Sequence, residues 1–125
     1  MVRVKRTLLK GMVGTTCKYG NKKIIIDGIE FDSKKEGNRY IELKLLERAG
    51  EIKDLELQKV FELQPGFKKN GNTYIRITYV ADFYYYDIRN NNYVVEDTKG
   101  FKTEVYKIKK KLFEYKYPDL EIKEI

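Results

Sequence analysis

Two acids and a lysine stand within the stretch Val94-Val95-Glu96-Asp97-Thr98-Lys99-Gly100, which is otherwise typical of a buried strand. Charged side chains are costly to bury unless they are paired or hold a metal ion. Side chains alternate between the two faces of a strand, so Asp97 and Lys99 share one face and Glu96 lies on the other. The pattern therefore predicts that Asp97 and Lys99, rather than Glu96 and Lys99, form the chemically linked pair.

Another isolated acid, Asp82, stands in the preceding strand candidate, which is rich in tyrosine and valine. Its distance from Asp97 along the chain allows both carboxylates to lie at one end of two adjacent antiparallel strands. Two close carboxylates repel each other unless a cation lies between them, and Mg²⁺ or Mn²⁺ would suit oxygen ligands of this kind. Such an ion would activate water for attack on a phosphate, with Lys99 nearby. The alternative is that Asp82 and Asp97 are surface acids with Lys99 as their solvated partner.

Glu36 is a further candidate ligand, and its sequence context permits two roles. It ends the segment Ser33-Lys34-Lys35-Glu36, a capping-box pattern that predicts the start of a helix. On that helix Glu36 shares a stripe with Tyr40 and Leu43, which would turn it toward the sheet. Spacing alone leaves open whether Glu36 is a site residue or only part of the helix cap.

The first half of the chain predicts a hairpin followed by a helix. Residues 23–31 form the predicted hairpin, because Asp27-Gly28 suits a two-residue turn. The helix is predicted from Ser33 to about Ala49 by its cap and its apolar periodicity. Its expected apolar positions are Tyr40, Ile41, Leu45 and Leu46.

The second half predicts several strands around a second helix. Extended segments are expected at 55–58, 60–64, 73–86 and 93–99, with a last short strand at 120–125. Thr103 is the predicted cap of the second helix. Its expected apolar stripe is Val105, Ile108, Leu112 and Tyr115. This order predicts an α/β domain in which helices flank a central mixed sheet.

The composition limits the chemistry that this chain can perform. It has 125 residues, the length of a single domain, with no histidine and one cysteine, Cys17. These counts exclude Ser-His-Asp and Cys-His catalysis, HNH-type nucleases, internal disulfides and most zinc sites. Any metal would therefore be a hard cation that carboxylates bind.

The net charge of +7 comes from the N-terminal part of the chain. Residues 1–26 hold seven basic residues and no acid, whereas the remaining 19 basic and 19 acidic side chains cancel. We assign a basic arm to residues 1–17, with Arg3, Lys5 and Arg6 as candidate DNA-binding residues. A solvated tail is the alternative. No apolar run could span a membrane and no secretion signal is evident, so a cytoplasmic protein without a membrane partner is expected.

The acids and the order of elements resemble the PD-(D/E)XK nuclease superfamily. Its members share an acid in one strand, Asp-x-Lys in the next, and a core of helix, three strands, helix and strand. The segment 19–36, which contains Asp-Gly-x-x-Phe-Asp-Ser-Lys-x-Glu, is similar to a family encoded mainly by bacteriophages and prophages and likened to Holliday junction resolvases. The resemblance covers residues 18–125 and implies a restriction-endonuclease-like core for this domain.

The resemblance also implies a role for each site residue. Asp82 corresponds to the strand acid, Asp97 and Lys99 to the signature pair, and Glu36 to the helix acid. A divalent ion, Mg²⁺ or Mn²⁺, is implied at Glu36, Asp82 and Asp97, with Lys99 beside the attacking water. Glu96 would lie next to the metal-binding residues without binding the ion itself, or it would be a solvated strand residue. A phage-encoded member would act in the bacterial host cytoplasm, in phage DNA recombination or processing.

Further lysines predict a surface for the phosphate backbone of DNA. They are Lys102, Lys107, Lys110 and Lys111, which lie before or along the second helix. A solvated helix face is the alternative for each of them. The 11 tyrosines suit either strand packing or stacking on exposed bases.

Together these features favour a metal-dependent DNA endonuclease that hydrolyses phosphodiester bonds in branched or duplex DNA. One alternative is a non-catalytic nucleic-acid-binding module, and another is a basic phage structural or partner-binding protein. Cutting a four-way junction requires two symmetric incisions, so a junction resolvase would have to be a homodimer.

Overall fold

The computed structural model describes residues 23–125, so the predicted basic arm with Arg3, Lys5 and Arg6 lies outside the described residues. Two helices, a mixed four-stranded sheet and two small hairpins make up this part of the chain, which confirms the α/β class. None of the helices in this part is long and apolar enough to cross a membrane. The elements in chain order are β1 (Ile24–Ile26), β2 (Ile29–Phe31), α1 (Lys34–Arg48), β3 (Ile52–Gln64), β4 (Phe67–Lys69), β5 (Asn72–Tyr74), β6 (Ile77–Asp87), β7 (Asn92–Asp97), α2 (Glu104–Lys116) and β8 (Ile122–Glu124).

The sheet places its strands in the order β3-β6-β7-β8. The pairs β3–β6 and β6–β7 are antiparallel, whereas β7 and β8 are parallel because α2 carries the chain back across the sheet. If the two hairpins are set aside, the order is helix, three strands, helix, strand. This arrangement brings the middle of β6 next to the end of β7, where the predicted acids lie.

The predicted N-terminal hairpin and both helix starts are confirmed. Asp27 and Gly28 have φ angles of 54° and 76°, as a two-residue turn between β1 and β2 requires. Ser33 accepts the backbone N–H of Glu36 at 3.1 Å and so caps α1. Thr103 caps α2 in the same way.

The single long strand predicted at 73–86 is wrong at its beginning. Asn70 and Gly71, with φ angles of 52° and 79°, form a tight turn, so β5 pairs back on β4 as a separate hairpin. Only the segment from Ile77 onward joins the central sheet as β6. The strand propensity was correct, but the turn takes its first residues into a different sheet.

Each helix packs against its own apolar cluster. The α1 cluster consists of Phe31, Tyr40, Leu43, Ile52, Phe83 and Tyr85. The α2 cluster consists of Phe61, Leu63, Tyr79, Ala81, Val95, Tyr106, Phe113 and Ile122. Consecutive residues of β7 point to opposite faces: Val94 packs against the α1 cluster and Val95 belongs to the α2 cluster. The two helices therefore cover opposite faces of the sheet.

The apolar stripes predicted for the helices are partly wrong. On α1, Tyr40 is buried, but Ile41 and Leu45 are exposed and Leu43 takes the central position. On α2 the whole predicted stripe of Val105, Ile108, Leu112 and Tyr115 is exposed. The buried stripe is the aromatic one, formed by Tyr106 and Phe113, because α2 lies on a sheet face that is itself aromatic.

Strands β3 and β6 change the face of their side chains at one level of the sheet. Ala81 belongs to the α2 cluster and Phe83 to the α1 cluster, although residues two apart in a regular strand share a face. In β3, Leu57 packs with the α1 cluster, whereas later residues of the same parity belong to the α2 cluster. The change occurs at Gln58, which has a φ of 56°, and at Asp82 on the neighbouring strand. Asp82 is therefore placed between the two faces of the sheet.

Candidate active site

Nearly all the polar side chains that the described residues bury belong to one region. These side chains are Glu36, Gln58, Glu96 and Asp97, each with less than a tenth of its surface exposed. They come from α1, β3 and β7; Gln58 and Asp97 contact the partly buried Asp82 of β6, Glu36 contacts Gln58, and Glu96 pairs with Arg39. Burial of this many polar groups in a small domain is costly unless each one has partners, so the contacts between them define the site.

Asp82 and Asp97 lie side by side across the β6–β7 pair. One Asp82 oxygen accepts the backbone N–H of Thr98 at 2.8 Å and the Thr98 hydroxyl at 2.7 Å. Asp97 accepts the hydroxyl of Tyr79. Burial, followed by the charge of Asp82, raises the pKa of the Asp97 carboxyl to about 6. The sheet therefore holds two negative groups close together, as their sequence spacing predicted.

Lys99 contacts Asp97, as predicted, although β7 ends at Asp97 and not at Lys99. Its ammonium nitrogen is 3.5 Å from an Asp97 oxygen and 4.5 Å from the centre of the Tyr106 ring. The lysine side chain is 29% exposed, whereas Asp97 is almost fully buried. The ammonium group therefore reaches solvent while it remains in contact with the acid, which leaves it accessible to an approaching anion.

Gln58 connects the two remaining carboxylates of the site. Its side-chain amide donates to Glu36 at 3.3 Å and to Asp82 at 3.3 Å. Glu36 is only 4% exposed, so its carboxylate points toward the sheet, while its own backbone N–H is capped by Ser33. Glu36 therefore takes part in the helix cap through its backbone N–H, while its side chain contacts Gln58.

The backbone of Gln58 is strained where it serves the site. A φ of 56° is unfavourable for a residue with a side chain and costs about 1–3 kcal/mol when the surrounding structure enforces it. Sequence reasoning missed Gln58, because a single glutamine is common in an amphipathic strand and does not indicate a site. Its only signal is its position opposite Asp82, which becomes visible once the β3–β6 register is known.

The three predicted metal ligands do not form a complete ligand set. In residues 23–125 no group of three or more acidic or cysteine side chains has the geometry to hold a metal ion. The donor set that is assembled is the Asp82–Asp97 pair, with Glu36 connected to it through Gln58. Two carboxylates completed by backbone oxygen and water fit Mg²⁺ or Mn²⁺, which rarely take all their ligands from protein.

Glu96 is neither solvated nor part of the carboxylate pair. Two nitrogens of Arg39 donate to its two oxygens at 2.8 and 2.7 Å, and Tyr85 donates to one of them. Glu96 is fully buried, so the solvated role considered for it is wrong. The pairing raises the pKa of the Arg39 guanidinium, and burial with this bond raises that of the Tyr85 hydroxyl. Since Arg39 lies one turn after Glu36, the ion pair fixes the acidic start of α1 against β7.

A model of the family DUF1064, described as a protein of unknown function, matches residues 16–125. The chain belongs to this family. The match covers the entire α/β unit together with the hairpin β1–β2 before it. No curated protein and no solved structure matches the chain. The family description names no activity.

The lysines predicted to bind DNA along α2 are largely engaged with acids. Lys102 and Lys110 lie 2.9 and 3.7 Å from Glu124, and Lys107 lies 3.2 Å from Glu104. Lys111 is exposed on the same helix. The hydrogen bond from the Tyr106 hydroxyl, followed by the contact with Lys102, lowers the pKa of the Glu124 carboxyl to about 2. These ion pairs reduce the positive potential of this helix face.

Proposed function

We propose that this DUF1064 protein is a metal-dependent DNA endonuclease with a restriction-endonuclease-like core. The observation that carries the proposal is the meeting of Asp82, Asp97 and Lys99 where β6 pairs with β7. The order of helix, three strands, helix and strand supports it, because the superfamily that the sequence resembles has the same order of elements. The fold alone would not suffice, since one fold serves many functions.

The chemistry of the donors defines which metal the site would take. Asp82 and Asp97 supply carboxylate oxygens, and this donor set suits Mg²⁺ or Mn²⁺ rather than zinc. A bound ion would supply Lewis-acid chemistry, activating water and offsetting negative charge on a phosphate. Glu36, linked through Gln58, would complete the acidic side of the site.

The other residues of the chain hold and orient these groups. Thr98 fixes one oxygen of Asp82 with two hydrogen bonds and Gln58 donates to the other, so the carboxylate has a defined direction. Tyr79 fixes Asp97 from within the α2 cluster. Lys99 offers a positive charge, next to these acids and partly exposed, to a phosphate oxygen or to the attacking water.

The proposed substrate is DNA, with branched DNA as a candidate, in phage DNA recombination or processing within a bacterial host cytoplasm. The basic residues near the N-terminus support a polyanion partner. Shape and backbone contacts would determine selectivity, because residues 23–125 contain no helix-turn-helix and a sequence with no histidine and one cysteine has no zinc module to read bases. Junction resolution would require a homodimer, which places two sites around one branch.

The test compares Asp82→Asn and Asp97→Asn with Asp119→Asn, which makes the same exchange at an exposed turn. The full chain is incubated with supercoiled, linear and four-way-junction DNA in Mg²⁺, Mn²⁺ or EDTA, and folding is checked by circular dichroism. We expect cleavage by the wild type and by Asp119→Asn only in the presence of metal, and no cleavage by the two site variants. Equal metal-dependent cleavage by all three variants would refute the assignment.

The alternative of a non-catalytic nucleic-acid-binding module is separated by the same preparation. A wild-type protein that binds DNA in a salt-sensitive manner but cleaves none of the substrates would support that alternative. Competition in Ca²⁺ tests the branched-DNA expectation, because binding can then be measured with little cleavage. If linear duplex competes as well as a four-way junction at equal nucleotide concentration, a general nuclease describes the protein better.

A further inference from the structure

The hairpin β4–β5 and the residues directly after it carry three exposed positive charges. Its cations are Lys68, Lys69 and, directly after it, Arg76, all of them exposed. There is no acid between Gln64 and Asp82, so this whole segment has a charge of one sign. Such a charge distribution attracts a polyanion and has no role in the packing of the domain.

Lys68 and Lys69 are less engaged than most of the lysines that the sequence predicted to bind DNA. Within residues 23–125, Lys68 and Lys69 form no ion pair, and Arg76 has a single contact, with Glu62 at 4.0 Å. By contrast, three of the four lysines predicted to bind DNA before or along α2 form ion pairs with Glu104 or Glu124. Lys68 and Lys69 are therefore exposed cations that suit contact with phosphate oxygens.

The same hairpin exposes apolar side chains beside its cations. Phe67 and Tyr74 stack across the two strands with ring centres 4.7 Å apart, and both remain nearly half exposed. Ile75 is 83% exposed, which leaves most of its apolar surface in water. Apolar and aromatic groups of this kind can pack on sugars and on bases that have lost a stacking neighbour.

The hairpin lies at a suitable distance from the carboxylates. It follows directly from β3 and leads into β6, the strands that carry Gln58 and Asp82. Asp82 lies five residue steps after Ile77 along β6, a span of about 17 Å in an extended strand. That span corresponds to about five steps of duplex DNA. One bound duplex could therefore reach both places.

We propose that β4–β5 with the following Ile75 and Arg76 is a DNA-binding arm. This inference rests on the proposed DNA partner and assigns the surface that holds it. Lys68, Lys69 and Arg76 bind backbone phosphates beside the cleavage position. Phe67, Tyr74 and Ile75 pack against a sugar and a base edge where the DNA duplex is interrupted. This contact favours branched DNA over intact duplex.

The first test removes charge from the arm and from a matched surface. In the full chain, Lys68→Gln/Lys69→Gln/Arg76→Gln is compared with Arg48→Gln/Lys53→Gln/Arg89→Gln, three exposed cations at the opposite end of β3 and β6. Binding to a four-way junction and to linear duplex is measured in Ca²⁺ between 50 and 300 mM salt, and thermal unfolding verifies folding.

Loss of three phosphate contacts should weaken binding about 100-fold near 0.1 M salt and lower the slope of log K against log salt by about 2 to 3. The control triple should lose less than about threefold, because its cations lie away from the proposed path of DNA. If the two triple variants show equal DNA affinity and equal salt slopes, the assignment of β4–β5 as a DNA-binding arm is refuted. Failure of the wild-type protein to bind DNA at low salt would overturn the DNA partner as well, so the two failures are distinguishable.

The second test addresses the apolar part of the arm. Ile75→Ser should weaken binding to the junction about tenfold, through lost apolar contact, and leave the salt slope unchanged. Binding of linear duplex should change less, because it offers no unstacked base. If the variant binds both substrates as the wild type does, the apolar contact is refuted.

Discussion

Removal of Arg39 should destabilise the protein strongly, because it would leave Glu96 as an unpaired charge in the core. Glu96 is fully buried and receives two hydrogen bonds from Arg39, whose side chain is itself only 19% exposed. For two unit charges about 4 Å apart at an effective dielectric constant of about 20, the attraction is about 4 kcal/mol. Loss of one partner of a buried pair typically costs about 3–5 kcal/mol, in agreement with this figure.

We therefore expect Arg39→Met to lower the free energy of unfolding by about 4 kcal/mol. Glu96→Gln should cost only about 1–2 kcal/mol, since an amide can still accept from Arg39 and from Tyr85. The double variant should be less destabilised than Arg39→Met alone, because its buried group is neutral. The cycle should thus give a coupling energy of about 2 kcal/mol or more.

Urea unfolding monitored by circular dichroism at 222 nm measures all four proteins at one pH. With a denaturant slope of about 2 kcal/mol per molar, Arg39→Met should shift the midpoint by about 2 M. If Arg39→Met is destabilised by less than about 1 kcal/mol, or if the single effects simply add, the pair does not stabilise the buried carboxylate as inferred.

Three further predictions concern other parts of the chain. Gly37→Val should lower the free energy of unfolding by about 2 kcal/mol, because a Cβ there would lie 2.4 Å from Ile24 Cδ1; Ile24→Ala in the same protein should restore part of the loss in urea titration. Glu124→Gln should destabilise the protein at pH 7, and the difference from wild type should shrink as pH falls from 4.5 toward 2, because the folded state, through Tyr106 and a lysine, keeps Glu124 ionised to about pH 2; a pH-independent difference would contradict this. Deletion of the basic arm, residues 1–17, removes four cations and should weaken DNA binding and flatten its salt dependence in a filter-binding titration. An unchanged salt slope would show that residues 1–17 have no role in DNA binding.

Local signals predicted most of the fold. The Asp27-Gly28 turn, the Ser33 and Thr103 caps and the β-rich segments depend on neighbouring residues, so sequence alone revealed them. The stripe on α2 was wrong for a physical reason. Both an aliphatic and an aromatic row fit helical spacing, and only the aromatic surface of the sheet selects the row with Tyr106 and Phe113.

The candidate site was predictable where strand alternation determines it. Alternation correctly placed Asp97 with Lys99 and sent Glu96 to the other face. Gln58 and Arg39 were not predictable in this way, because each meets its partner through tertiary contacts between distant segments. The change of face at Gln58 also breaks the period of two on which strand analysis depends.

The opposite orientation of Glu96 and Asp97 has a consequence for how the chain finds its native state. A slip of β7 by one position would exchange the two faces, turning Glu96 into the aromatic α2 cluster and taking its carboxylate away from Arg39. Leaving this buried charge unpaired would cost about 3 kcal/mol, which would make the slipped state about a hundred times rarer than the native register. The two adjacent acids therefore favour the native register of the β6–β7 hairpin over registers shifted by one residue.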